Sequence, residues 1–234
     1  MLETLRNAFK IKDLRKRIGF TFLMLIVVRI GSQLPIPGVD PDVFSQLFAN
    51  SGDALNFFDA ITGGSFENMS IFALNITPYI TSSIIIQLLT IALEEMQRDG
   101  EQGRKKMTQI TRYVTVGLAV VQSLAMAIGF GRAGYLTKFN ALYVIMTVVA
   151  LTAGSSVLMW IGERITEKGI GNGISIVLVI NIISRIPSDL TSLFEQFISG
   201  KTIAKGTLSG VIIAAIIVAM VVLVVFLQGA ERRI

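Results

Sequence analysis

Apolar runs alternate with short polar loops along this chain, and every second loop is crowded with Lys and Arg. The widest interval without a basic residue lies between Arg29 and Arg98, 68 consecutive positions. It is bracketed by Lys10, Lys12, Arg15, Lys16 and Arg17 on one side and by Arg98, Arg104, Lys105, Lys106 and Arg112 on the other. A helix rises ~1.5 Å per residue, so about 20 apolar residues cross the roughly 30 Å hydrocarbon layer of a bilayer. By that measure the pattern predicts six crossings, over 18–36, 76–93, 113–131, 141–161, 174–187 and 208–227. The fifth is short, and either borrows from the polar stretch after Pro187 or crosses at an angle.

Charge then sets the orientation. Segments 1–17, 94–112, 162–173 and 228–234 hold fifteen Lys and Arg between them. The opposite side holds five: Arg132, Lys138, Lys201 and Lys205 in the alternate segments and Arg185 near the outer end of the fifth crossing. Basic loops resist export, so both the N-terminus and the C-terminus are expected on the cytoplasmic side. Composition agrees, with 52% hydrophobic and 16% charged residues, against roughly 25% charged in soluble domains. The net charge of +5 sits at span ends and not on one soluble face, which fits lipid headgroups and gives no direct nucleic-acid readout. The fold class expected is all-α: a polytopic helix bundle over 18–227, preceded by a cytoplasmic amphipathic segment, 1–17, and followed by the start of a loop, 228–234. Met1 to Phe20 does not read as a signal peptide, since its charged stretch is long and no small-residue cleavage site follows. Instead Leu2, Leu5 and Phe9 form one helical stripe suited to the membrane surface.

Two features inside this frame are unusual. Arg29 is the one basic residue deep within a predicted span, past its middle and close to Pro35 and Pro37. An interfacial anchor reached by snorkelling is the expectation, ahead of an ion site. The segment 58–74 lies outside by topology, yet Phe58, Ile61, Phe66, Ile71 and Phe72 make it too apolar for an outer loop. Gly63-Gly64 breaks it too early for a crossing. Irregular backbone at membrane depth persists only inside protein or beside a water-filled cavity. A re-entrant element is therefore expected, which favours a channel or transporter over a scaffold.

Catalytic chemistry is poorly supplied. The chain has no Cys and no His, which removes disulfides, thiol nucleophiles, haem and most zinc sites. The six predicted spans contain no Asp or Glu, so no buried acid–base pair is available. Thr77, Thr81, Ser82 and Ser83, and the run Ala153 to Ser156, read as helix-packing or cavity-lining groups. The run Gly169-Ile170-Gly171-Asn172-Gly173 suggests a phosphate loop, but Ile174 occupies the third glycine of G-x-G-x-x-G and no strand precedes it. A tight turn between two spans is the expectation, since Gly and Asn tolerate positive φ. Ile76, Ile80 and Ile84 fall one turn apart, as do Ile174, Leu178 and Ile182. Spacing alone makes these stripes packing or lipid contacts.

Four stretches in order carry a resemblance. Trp160 to Ser175 resembles the inner loop between the fourth and fifth helices of the SecY protein-translocation channel family. Arg29 to Gly31 with Pro35 to Gly38 resembles the end of that family's first helix. Ser70 to Leu89 resembles its plug-to-second-helix junction, and Gly100 to Lys106 with Thr111 to Tyr113 its second inner loop. The resemblance implies that 58–74, with Phe58, Ile61, Gly63, Gly64 and Phe66, is a plug sealing the channel from outside. It also implies an apolar constriction of Ile80, Ile84, Leu178 and Ile182, where Leu178 replaces an expected isoleucine. Such a ring blocks ions by dewetting and yields around a peptide. The second helix would form one side of a lateral gate, its face carrying Thr77, Thr81 and Gln87.

The family implies a passive conduit in the bacterial plasma membrane, with no cofactor. It would pass unfolded secretory chains outward and apolar segments of membrane proteins sideways into lipid. The small subunits SecE and SecG, and the SecA motor or a translating ribosome, are the partners implied. The family pattern has ten helices, and Gln228 to Ile234 resembles the loop opening after the sixth, so a fragment or a natural short form is expected. The connection Ala92 to Met96 is more compact than the family's. A small-solute transporter is the rival reading, though it would usually carry an intramembrane ion or substrate group. A polytopic membrane enzyme is a weaker one.

Overall fold

A backbone in lipid has no water to satisfy its N–H and C=O groups and closes its hydrogen bonds within helices. A computed structural model of the chain describes residues 11–39, 59–92, 100–134, 136, 139–197 and 203–229. Within them α1 spans Lys12–Gly31, α2 Thr77–Ala92, α3 Gly100–Arg132, α4 Ala141–Lys168, α5 Gly173–Phe197 and α6 Ile203–Gly229. Two isolated bridges, Pro35 to Ser70 and Val39 to Leu136, accompany these helices. The expected stripe of Leu2, Leu5 and Phe9, Phe58 of the expected plug, most of the connection after α2, and residues 230–234 lie outside the described residues.

Among the described residues four helices are long and apolar enough to cross a membrane: Lys105–Arg132, Ala141–Lys168, Gly173–Ser192 and Gly210–Gly229. Thr77–Leu89 is apolar but shorter. The 20-residue α1 opens on Lys12, Asp13, Arg15, Lys16 and Arg17, which leaves only its later part apolar. The helices outrun the predicted spans. α3 starts at Gly100 and α4 continues to Lys168, where hydropathy predicted loops. α5 passes through Pro187 and ends at Phe197. Proline removes one i→i−4 bond but need not end a helix where neighbouring groups re-satisfy the backbone.

The chain divides into two compact units, Met1–Ser184 and Arg185–Ile234. In the first, α3 packs along α4, α2 along α3 and α1 along α4. Hydroxyl pairs join them: Ser82 with Thr115 at 2.6 Å and Ser123 with Thr152 at 3.2 Å. Small polar groups of this kind let apolar helices approach closely. The second unit holds the end of α5, where Arg185 pairs with Asp189 at 3.5 Å, and α6, whose side chains from Val211 to Leu227 are nearly all exposed.

The core of the first unit is built around the irregular stretch 59–76. One apolar cluster joins its Phe66, Met69, Ala73 and Leu74 to Ile36, Ala119 and Leu151. A second joins its Phe72 and Ile76 to Val28 of α1, Leu158, Ile161 and Ile165 of α4, and Val177 of α5. Helices therefore surround a segment of turns.

Candidate functional site

Residues 59–76 make one helical turn, 59–62, and then a run of turns before α2 begins. Most of the stretch is buried, so its polar groups need partners inside the protein. Asp59 supplies several. Its carboxylate accepts from the Glu67 N–H at 2.8 Å and from the Thr62 hydroxyl at 3.2 Å. Ser70 donates its hydroxyl to the Ser65 carbonyl at 3.0 Å. Two further bonds stitch the stretch to the chain after α1: the Ile36 N–H donates to Met69 O and the Ile71 N–H to Leu34 O, both at 3.0 Å.

Close approach to the surrounding helices depends on glycine. A Cβ on Gly154 of α4 would overlap the Ile71 carbonyl, and one on Gly63 would lie 2.7 Å from the Asn181 carbonyl oxygen of α5. Gly63 also has φ +71°, a conformation glycine adopts without steric cost. Its carbonyl accepts from Nη1 of Arg29 at 3.2 Å. Arg29 thus turns inward onto the segment, where a snorkelling anchor was expected. A buried carbonyl in a tight turn needs a donor, and the guanidinium offers five. Asn75 bonds in three directions: its amide donates to Ile61 O at 3.2 Å, its Oδ1 accepts from Asn181 Nδ2 at 3.1 Å, and its carbonyl accepts from the Ser155 hydroxyl at 3.3 Å.

Along α2, which follows this stretch, lies an open cavity of about 700 Å³. Ile80, Ser83, Ile84 and Gln87 of α2 line it, with Ile174 from the start of α5. Arg112 of α3 and Glu163 of α4 line its charged part and form a bidentate pair, Nε to Oε1 at 2.9 Å and Nη2 to Oε2 at 2.8 Å. An apolar wall and a charged wall therefore share one space. The isoleucines of the first offer no hydrogen-bonding groups and the second offers charged ones.

The two isoleucine stripes are only partly gathered here. Ile76 is 1% exposed and belongs to the core, Ile80 packs against the same cluster, and Ile84 is 52% exposed. On α5, Ile174 packs against the core and lines the cavity, Leu178 is half-buried, and Ile182 is exposed. Neither Leu178 nor Ile182 is among the cavity's lining residues. Of the other predicted plug residues, Ile61 and Gly64 are partly buried and Phe66 is buried against Phe130, with ring centroids 6.0 Å apart.

The glycine run closes α4 and opens α5. Gly169 caps α4, its N–H donating to Ile165 O at 2.7 Å. A Cβ there would lie 2.5 Å from the Thr21 hydroxyl oxygen, which accepts from the Ile170 N–H at 3.2 Å. Gly171 has φ +65°. Asn172 accepts at Oδ1 from the Ile174 N–H at 3.1 Å and the Ser175 N–H at 3.4 Å, which caps α5. Gly173 allows its backbone to lie against Gly162 O. Gly169, Gly171, Asn172 and Gly173 each have a steric, conformational or capping task at this turn.

Sequence reasoning did not single out Asp59, Asn75 or Asn181, nor the Arg112–Glu163 pair, and it placed Ser155 only within a run of packing or cavity-lining groups. Asn181 had a legible signal, being an amide between the apolar residues Ile176 to Ile180 and Ile182 to Ile183 of a predicted span.

Comparison with known proteins places the chain in context. A family model described as SecY matches residues 70–234. The chain is 42% identical over 233 residues to the protein translocase subunit SecY of Pseudomonas aeruginosa, covering 96% of this chain and 51% of that protein. Its fold is similar to Sec61 in the canine ribosome-channel complex from the endoplasmic reticulum: TM-score 0.67, 18% identity, 94% of this chain and 49% of that one. The structure of a protein conducting channel matches with TM-score 0.60 and 18% identity, over 80% of this chain and 42% of that one. The chain spans about half the length of the curated relatives it matches.

Proposed function

The chain belongs to the SecY family, and from that membership we propose that it forms a six-crossing, plug-bearing part of a protein-conducting channel. Unfolded secretory chains pass through that channel, and apolar segments leave it sideways past α2 into lipid. The observation that carries the reading is the placement of 59–76: turns with buried polar groups, ringed by α1, α4 and α5. Such a piece is held by a few bonds and not by a continuous helix, which suits an element that must yield.

In this reading α1 and α2 cross as well as the four longer apolar helices, and both ends of the six-crossing body face the cytoplasm. The fifteen-to-five distribution of basic residues supports that orientation. Residues 58–74 are the plug, and Ile80, Ile84, Leu178 and Ile182 form the constriction. The cavity beside Ile80 and Ile84 is the entry from the charged side. The reading assigns no catalytic step to the chain, so the driving force comes from partners. A ribosome is supported by the likeness to Sec61 of the canine ribosome-channel complex; SecA, SecE and SecG are proposed from family membership. The bacterial relatives support a bacterial plasma membrane as the site of action.

The test is ion leak. Ile80→Gly together with Ile84→Gly opens the dewetted ring, and the resting conductance of the assembled channel in planar bilayers is expected to rise several-fold. A double variant as tight as the parent would remove these residues from the seal.

A further inference from the structure

The bond between Asn75 and Asn181 is unusual among those that hold 59–76 in place. Both residues are buried, at 1% and 2% exposure, and they join chain positions 106 residues apart. Asn75 has φ +52°, a left-handed conformation that Asn tolerates better than other residues with side chains. Its carboxamide is used at both ends, donating to Ile61 O and accepting from Asn181 Nδ2. That fixes the Asn181 amide too, because turning it over would set two carbonyl oxygens against each other. In the required orientation Asn181 Oδ1 is buried with no hydrogen-bond partner among the described residues. Gly63 rests on the Asn181 backbone at the same point.

We propose that the Asn75–Asn181 amide pair is the release point of segment 59–76, a clasp that holds the segment against α5 and opens at low cost. One hydrogen bond between neutral amides contributes little net stability, and a buried acceptor without a partner costs about as much as such a bond gives. When the segment leaves α5, both amides meet water and the orphaned oxygen of Asn181 is satisfied for the first time. Opening therefore regains at Asn181 what it loses at the clasp. An apolar pair of similar shape would hold the shut state more firmly and offer no such compensation. The inference rests on the channel reading only in the use made of release; the clasp itself is a property of the segment and α5.

The absence of cysteine from the chain makes the test direct. Ser65 is buried in the segment and Ser123 is buried in α3, so Ser65→Cys reports segment release and Ser123→Cys reports general loosening. Maleimide labelling of each is followed in intact membranes, in the parent and with Asn181→Leu or Asn75→Gly. The glycine variant keeps the backbone conformation at 75 while removing the amide. Each variant is expected to label position 65 roughly tenfold faster, the scale of a lost bond that strands its partner, with position 123 unchanged. The double variant is expected to label no faster than the faster single one, since both remove the same bond. Unchanged labelling at 65 in both variants, or equal acceleration at 65 and 123 in both, overturns the proposal. Ion leak measured on the same variants separates the two readings. Faster labelling at 65 with no added leak leaves the clasp standing and overturns the segment's role as a seal.

Discussion

Gly154 and Gly117 both interrupt long apolar helices, yet they meet different surroundings. A Cβ on Gly154 would drive into the Ile71 carbonyl, which is backbone and cannot rotate away, whereas one on Gly117 meets nothing within 4 Å. Gly154→Ala is therefore expected to destabilise the purified protein by about 1–3 kcal/mol through overpacking. Gly117→Ala is expected to be neutral, or stabilising by up to about 1 kcal/mol through helix propensity. Melting temperatures in detergent check the pair: a fall for Gly154→Ala alone is the prediction, and equal shifts would contradict it. The sequence marked Gly154 only as part of a small-residue packing run. Only the approach of a distant turn separates the two glycines, and hydropathy carries no information about which turn approaches which helix. The same limit hid Asn75 and Asn181, whose meaning lies in facing each other.

At the scale of the element, the turn between α4 and α5 was legible because its chemistry is local. Gly171 at positive φ and Asn172 as a cap need only their immediate neighbours. Losing the cap, as in Asn172→Ala, is expected to cost about 1 kcal/mol of local helix stability. The first turn of α5 then frays, and trypsin cleaves after the exposed Lys168 several-fold faster, while Asn172→Asp, which keeps the acceptor, cleaves like the parent. Equal rates for all three would show that the cap does not hold this end. Helix ends elsewhere were misjudged for a common reason. Hydropathy marks where lipid stops and not where the helix stops, so α3 and α4 continue as polar helix beyond the predicted spans. The short fifth crossing, expected to borrow from the polar stretch after Pro187 or to cross at an angle, does run on as helix through that stretch to Phe197.

On the scale of the whole molecule, the apolar stretch 58–74 announced its central position through composition alone: too greasy for an outer loop and too broken for a crossing. Its described part, 59–74, lies among the helices, and two apolar clusters form on it. The proposed constriction draws on two helices, α2 and α5, and spacing along each helix could supply only half of such a ring at a time. The measurement that tests the proposed conduit most directly is disulfide trapping of a chain in transit. Single cysteines are placed at Ile80, beside the cavity, and at Val218 of α6, which is exposed. A secretory chain carrying one cysteine is then stalled during passage through the assembled channel. The account predicts a disulfide at position 80 and none at position 218. Equal bonding at both, or no bond at 80 despite proven stalling, would contradict it.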